Sequence, residues 1–188
     1  IIGRLVGSEM CIRDRLHKVL FNTEKPKVAL LNIGSEELKG NAVIKDTYQL
    51  LTENKNTLFD FVGYIEGNNI MDGEVNVIVA DGFTGNIALK TAEGTSNFII
   101  SELKNALTSN IIGKISSTIN YKNLKKFKNK LDPRLYNGAI LLGLDKPVIK
   151  SHGSTDAIGF ANSLKVCEQT IRGNLIEQIL SLIHISEP

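Results

Sequence analysis

An α/β fold with a mostly parallel sheet is the architecture this sequence predicts, on three observations. Apolar, β-branched runs of strand length alternate with stretches whose apolar residues recur every three or four positions. The runs are apolar almost throughout, the pattern of strands covered on both faces by helices. Polar, glycine-containing loops follow strands and precede helices, which in a parallel sheet places them all along one edge.

Leu16 to Asn22 reads as the end of a helix, and Lys27 to Ile33 as a buried strand. Gly34 to Asn41 is a polar loop. Ala42 to Leu51 follows as a helix, with Val43, Tyr48, Leu50 and Leu51 supplying apolar surface. Leu58 to Ile65 and Val75 to Ala80 are the second and third strands. Asn86 to Leu107 is a long helix, because Ile87, Ala88, Ala92, Thr95, Ile99, Leu103 and Ala106 recur as one face. Ala139 to Leu142 and Val148 to Ile149 are short apolar runs. Ser154 opens a last helix, with Asp156 in its first turn and Ala157, Ala161, Leu164, Ile171 and Leu175 facing a core. There is no internal repeat and no low-complexity segment.

The two ends read differently from the rest. Leu5 to Arg15, written back into codons, contains a sequence resembling the transposase-end adaptor of sequencing libraries. The reverse complement of that adaptor encodes Leu180 to Pro188. Residues 1–15 and 180–188 are therefore expected to be adaptor-derived tails, and 16–179 the native insert, cut by fragmentation. A targeting segment fits poorly, since no sustained apolar core and no small-residue cleavage site lies there.

The insert has the size of one domain, and the chain's net charge of +2 indicates neither disorder nor general nucleic-acid binding. No stretch approaches the ~20 apolar residues of a membrane span. Cys11 lies in a tail, which leaves Cys167 alone and no disulfide framework, as suits a reduced cytosolic setting. His17 and His152 are the insert's only histidines, so no histidine-rich metal centre is expected.

Residues 103–131 break the α/β rhythm with seven lysines and no acid. Leu107, Ile111, Ile115 and Ile119 fall four apart, with Ile112 beside them. Such a basic amphipathic segment can lie on an anionic membrane or dock an acidic partner. A helical excursion packed against a second subunit explains the spacing equally well.

The loops carry the chemistry. In Asp81-Gly82-Phe83-Thr84-Gly85-Asn86, two glycines let backbone pass close to a ligand, and a helix start can hold an anion. Lys39, in a loop after a strand, can supply a point charge to a phosphate or carboxylate. His152, between an apolar run and a helix start, can bind an anion or act as acid or base. Taken singly, each has a plainer reading: a solvated lysine, a capping histidine, and Asn86 as an N-cap.

These segments together resemble the bacterial PlsX-type phosphate acyltransferases. The resemblance is carried by Leu30-Leu31-Asn32-Ile33-Gly34, Glu36-Glu37-Leu38-Lys39-Gly40-Asn41, Phe61-Val62-Gly63, Glu66-Gly67, Asp81 to Asn86, Ala88-Leu89-Lys90, Tyr136-Asn137-Gly138-Ala139, Leu142-Gly143-Leu144 and Pro147 to Ser154. They span nearly the whole insert in order. The family's amino-terminal half, with its early strands and glycine-rich loop, has no counterpart here.

The resemblance implies a three-layer α/β sandwich like that of phosphate acetyltransferases and isopropylmalate dehydrogenases, incomplete at its amino-terminal side. It implies transfer of an acyl group from acyl carrier protein to inorganic phosphate, with no metal and no other cofactor. Lys39 would hold phosphate or polarise the carbonyl, and Asn86 would donate to the oxyanion. Asn41, Asp81, Gly82, Thr84, Gly85, His152 and Ser154 would line the substrate site. Lys122, Lys125 and Lys126 would meet the acidic carrier protein, and Ile111, Ile112, Ile115 and Ile119 a bilayer. A cytoplasmic homodimer, peripherally attached to membrane and not binding nucleic acid, is the expected setting. Two alternatives remain: an isopropylmalate-type dehydrogenase, which should show clustered aspartates, and a non-catalytic membrane or carrier-protein adaptor, which would leave the polar loops unexplained.

Overall fold

The apolar run after Lys27 forms the central strand of a parallel sheet. The computed structural model describes residues 15–53, 58–153 and 155–185, with side chains as far as residue 181. Strand β1 (Lys27–Leu31) pairs in parallel with β2 (Asp60–Ile65) and β3 (Val77–Val79), in the order β2-β1-β3. Successive strand residues face opposite ways. Val28 and Leu30 on one face and Ala29 and Leu31 on the other are all buried, so β1 is covered on both sides as expected.

Residues 15–21 are helical (α1). Helix α2 (Ala42–Glu53) brings Leu51 and Tyr48 into a cluster with Val28, Leu30, Phe59, Val77 and Val79. Fully burying a side chain such as Val28 or Leu30 contributes about 1.5–3 kcal/mol. Strand β3 is shorter than expected and only half-buried. Among the described residues it lies at the edge of the sheet, with one neighbouring strand.

Strand β2 carries an irregularity that the apolar pattern hides. Val28 pairs with Phe61 but Ala29 pairs with Gly63, so Val62 is an extra residue in the ladder. Gly63 takes a left-handed φ of 93° there. As a result Phe61 and Tyr64, three apart, both stack on Tyr48, at 5.6 and 4.6 Å between ring centroids.

The chain divides into two compact units. One comprises the residues up to Asp81, Ile140–Ile149 and those from Lys165 on; the other is Gly82–Ala139 with Lys150–Leu164. The first also contains the paired short runs β4 (Ala139–Leu141) and β5 (Val148–Lys150), although Ala139 and Lys150 themselves fall in the second. The expected last helix is two: α6 (Ala157–Arg172) and α7 (Leu175–Ile185), broken where Asn174 turns left-handed at φ 48°. Beside the break, Val19 of α1 lies so close to Gly173 that a Cβ there would overlap it.

The buried face of α6 differs from the expected one. Ala157, Ala161, Leu164 and Ile171 are exposed, whereas Gly159, Ser163 and Thr170 are buried. Ser163 and Thr170 tolerate burial because their hydroxyls reach the carbonyls of Gly159 and Val166, at 3.2 and 2.7 Å. Leu175, expected on the same face, is fully buried, but at the start of α7.

In the second unit α3 (Gly82–Thr108) begins four residues before the expected start. It is followed by α4 (Ile111–Ile119), capped by Asn110, whose side chain accepts the Gly113 N–H at 2.7 Å, and by α5 (Tyr121–Lys130). No residue of α3, α4 or α5 is buried. Among the described residues no helix is long and apolar enough to cross a membrane. The tail residues Cys11 and Pro188 lie outside the described residues, as does the side chain of Ile183.

Candidate functional site

The loop after β1 is held at both ends by side chains that leave the sheet. Asn32 extends the ladder, donating its N–H to Ile65 O at 2.9 Å. It is 6% exposed, and its Nδ2 donates to Lys39 O at 3.1 Å. Its Oδ1 is buried with no hydrogen-bond partner among the described residues and lies against Gly40, where a Cβ would come within 2.5 Å of it. Gly40 sits at φ 96°, so both space and backbone conformation demand glycine there. From the end of β2, Glu66 Oε1 accepts the Ser35 N–H at 3.1 Å.

That clamp presents Lys39, whose half-exposed ammonium lies 3.2 Å from Glu36 Oε1. Glu36's own backbone N–H, and then Lys39, hold its carboxyl below the ordinary carboxylate range. Asn41 caps α2, its Oδ1 accepting the Ile44 N–H at 2.9 Å. What Asn41 retains for a ligand is its Nδ2 donor pair. Asn32 and Glu66 lie in segments that carry the family resemblance, but the sequence alone assigns them no role. The available signal was a polar residue closing each of two apolar strands.

In the second unit Gly82, Thr84 and Gly85 form the opening of α3, directly after Asp81. Asn86 lies inside the helix and is not its N-cap. One turn further along the same face is Lys90. Its Nζ contacts Glu93 Oε2 at 2.7 Å and His152 Nε2 at 3.2 Å. Lys90 was not singled out from sequence, although its spacing of four from Asn86 was visible.

The loop carrying His152 is organised by Asn137. Asn137 Oδ1 accepts the His152 N–H at 3.0 Å. Its Nδ2 reaches Ser151 Oγ and Thr155 Oγ1, both at 2.9 Å, and Gly159 O at 3.0 Å. Asp156 caps α6 by accepting the Gly159 N–H, and pairs with Arg134 Nη1 at 2.7 Å. Arg134 in turn grips Asp132 through Nη2 at 2.6 Å and Nε at 2.9 Å. The Gly159 N–H and then Arg134 draw the Asp156 carboxyl below its usual range; Arg134 does the same to Asp132. Ser154 lies outside the described residues.

Lys39 and Asn41 thus belong to one unit, and Asn86, Lys90 and His152 to the other, where Lys90 contacts His152. On α4, Ile111, Ile112, Ile115 and Ile119 are between 56% and 80% exposed. Lys122, Lys125 and Lys126 are exposed on α5. Among the described residues no three acidic, histidine or cysteine side chains group as metal ligands.

Residues 15–178 match the family described as fatty acid synthesis protein. The chain is 70% identical over 164 residues to the phosphate acyltransferase of Pelagibacter ubique, an alignment covering 87% of this chain and 49% of that protein. It is 44% identical over 164 residues to the phosphate acyltransferase of Caulobacter vibrioides, covering 87% and 45%. With that of Legionella pneumophila the identity is 40% over 169 residues, covering 90% and 49%. The chain therefore spans about half the length of these curated relatives.

Proposed function

This chain belongs to the fatty acid synthesis protein family, and from that premise we propose that the full-length protein carrying it transfers a fatty acyl group from acyl carrier protein to inorganic phosphate. The observation that carries this reading is the 70% identity to a phosphate acyltransferase over 164 residues. The product, an acyl phosphate, would feed phospholipid synthesis.

In the reaction a phosphate oxygen attacks the thioester carbonyl carbon. The new C–O bond creates a tetrahedral oxyanion, which collapses as the C–S bond breaks. The carrier thiolate leaves and takes a proton from solvent. Phosphate is already nucleophilic at neutral pH, so the protein's task is to position it and to stabilise the oxyanion. We assign Asn86 as amide donor to the oxyanion and Lys39 as the charge that holds phosphate or polarises the carbonyl. Gly82, Thr84 and Gly85 would cradle phosphate beside Asp81, with Asn41, His152 and Ser154 as further polar contacts. The opening of α3, within a turn of Asn86, supports this reading.

The exposed lysines Lys122, Lys125 and Lys126 suit an acidic carrier protein, and the exposed isoleucines of α4 suit a membrane surface. We propose a cytoplasmic homodimer that attaches peripherally to the bilayer, its subunit a three-layer sandwich with residues 103–131 as an excursion. The test is release of carrier-protein thiol by the full-length protein, measured with and without phosphate alongside acyl phosphate formation. Thiol release that ignores phosphate would show a hydrolase and end this reading.

A further inference from the structure

We propose that Asn32 is a positioning residue: it ties the main chain of Lys39 to the sheet and serves acyl transfer through that lysine. The starting observation is a side-chain amide that leaves the sheet and ends on the lysine's own carbonyl. Asn32 is 6% exposed, its N–H continues the ladder from β1 to Ile65 O, and its Nδ2 donates to Lys39 O at 3.1 Å. A main-chain carbonyl only accepts, so the group that faces it is the amide NH2 and the contact has one polarity.

The other supports of Lys39 are weaker. Its ammonium meets Glu36 Oε1 at 3.2 Å, but both side chains are at least half exposed, and such pairs hold little. Its stem lies over Gly34, where a Cβ would come within 2.9 Å of Lys39 Cδ, a neighbour that can swing aside. A lysine carries its charge on a flexible four-carbon stem, so the ammonium is placed only as well as the main chain beneath it. Asn32 is the support least able to shift, because its own backbone is part of the ladder. Gly40 makes the tether possible: it turns at φ 96°, and a Cβ there would stand 2.5 Å from Asn32 Oδ1.

The consequence for the reaction rests on the role proposed above for Lys39. A charge that holds phosphate or polarises a carbonyl must be placed in advance, and a misplacement of about 1 Å can cost about a hundredfold in rate. Asn32 sets that placement from the sheet side, through the main chain. Its effect on rate therefore exists only while residue 39 carries an ammonium.

The experiment is a double-mutant cycle in the full-length protein, read as kcat/KM for phosphate and as amide hydrogen exchange across residues 33–41. Asn32→Ala should lower kcat/KM about ten- to a hundredfold and speed exchange in that loop. In a Lys39→Ala background the same change should cost less than about twofold. An equal loss in both backgrounds gives Asn32 a purely structural role and overturns the proposal. Unchanged loop exchange in Asn32→Ala overturns it as well. Should that variant fail to fold, Asn32→Ser, whose hydroxyl is one bond too short to reach Lys39 O, carries the same cycle and the same two readings. If Lys39→Ala keeps full turnover, or the protein forms no acyl phosphate, the functional reading fails instead. Loop exchange alone then decides the tether: faster in the Asn32 variant upholds it, and unchanged removes it.

Discussion

The sheet around β1 and the helices α3 to α5 treat apolar side chains in opposite ways. Around β1, Val28, Leu30, Leu51 and Phe59 disappear into a cluster closed by their own unit. On the three helices no residue is buried, and Phe83, Phe98, Ile112 and Ile119 are 66–80% exposed. One region therefore buries its apolar residues within its own unit, while the other leaves them at its surface. Substitutions in the first should register as lost stability, and in the second as lost binding or turnover.

The widest separation between the two should come from paired truncations in the full-length protein. Leu30→Ala should cost about 2–5 kcal/mol in denaturant unfolding. Ile115→Ala should stay within about 0.5 kcal/mol. Equal costs would mean that α4 is packed into a core, and the contrast would fail.

Catalysis is the next sharpest probe, because Asn86 stands on an exposed helix and Lys39 on a clamped loop. Asn86→Ala should lower kcat about a hundred- to thousandfold, the ~2.7–4 kcal/mol typical of one oxyanion donor, with an unchanged melting temperature. Lys39→Ala should lose at least as much, and Lys39→Arg should not recover it fully, since a planar fork replaces a compact ammonium poorly. Near-normal turnover in both alanine variants would reduce these residues to helix and loop surface.

A smaller effect should distinguish the two faces of residues 103–131. Ile115→Glu combined with Ile119→Glu should release the protein from anionic vesicles in a sedimentation assay while leaving turnover in solution intact. Lys122, Lys125 and Lys126 changed to alanine should raise KM for carrier protein by roughly a kcal/mol or less per residue, and less so at high salt. Loss of folding in the isoleucine variant would return α4 to the core reading.

The smallest effect concerns acid. Asp132 and Asp156 have carboxyls held below their usual range, the former by Arg134 and the latter by the Gly159 N–H and then Arg134. Because the folded pKa values are depressed, this stabilisation is complete above the ordinary aspartate value of about 3.9 and fades as pH falls through the lower folded values. Arg134→Met should therefore narrow the difference in stability between neutral and acidic pH. An identical acid profile in the variant would remove the ion pairs from the account.

The alternation of strands and helices was legible because β1 and α2 follow the periods that burial imposes. The polar loops after β1 and β3 were legible as candidates because glycines and amides interrupt apolar runs there. The buried face of α6 was hidden, since Ser163 and Thr170 satisfy their hydroxyls on their own helix and hide as small residues where Leu164 and Ile171 look more hydrophobic. The start of α3 was hidden for a related reason. Gly82 and Gly85 read as a turn, yet a first helical turn tolerates them. Lys90 was invisible as a site residue because its partner, His152, is distant in sequence and is recognised only in three dimensions.

The extra residue in β2 bears on how this strand can change length over generations. With Val62 in place, the bulge lets Phe61 and Tyr64 both reach Tyr48. Without it those two residues would be separated by Gly63 alone, the spacing at which an ordinary strand puts side chains on one face. A chain that lost Val62 would keep its aromatic cluster and gain a regular ladder. At this point a one-codon deletion, which elsewhere in a strand exchanges inside for outside, leaves inside and outside where they were.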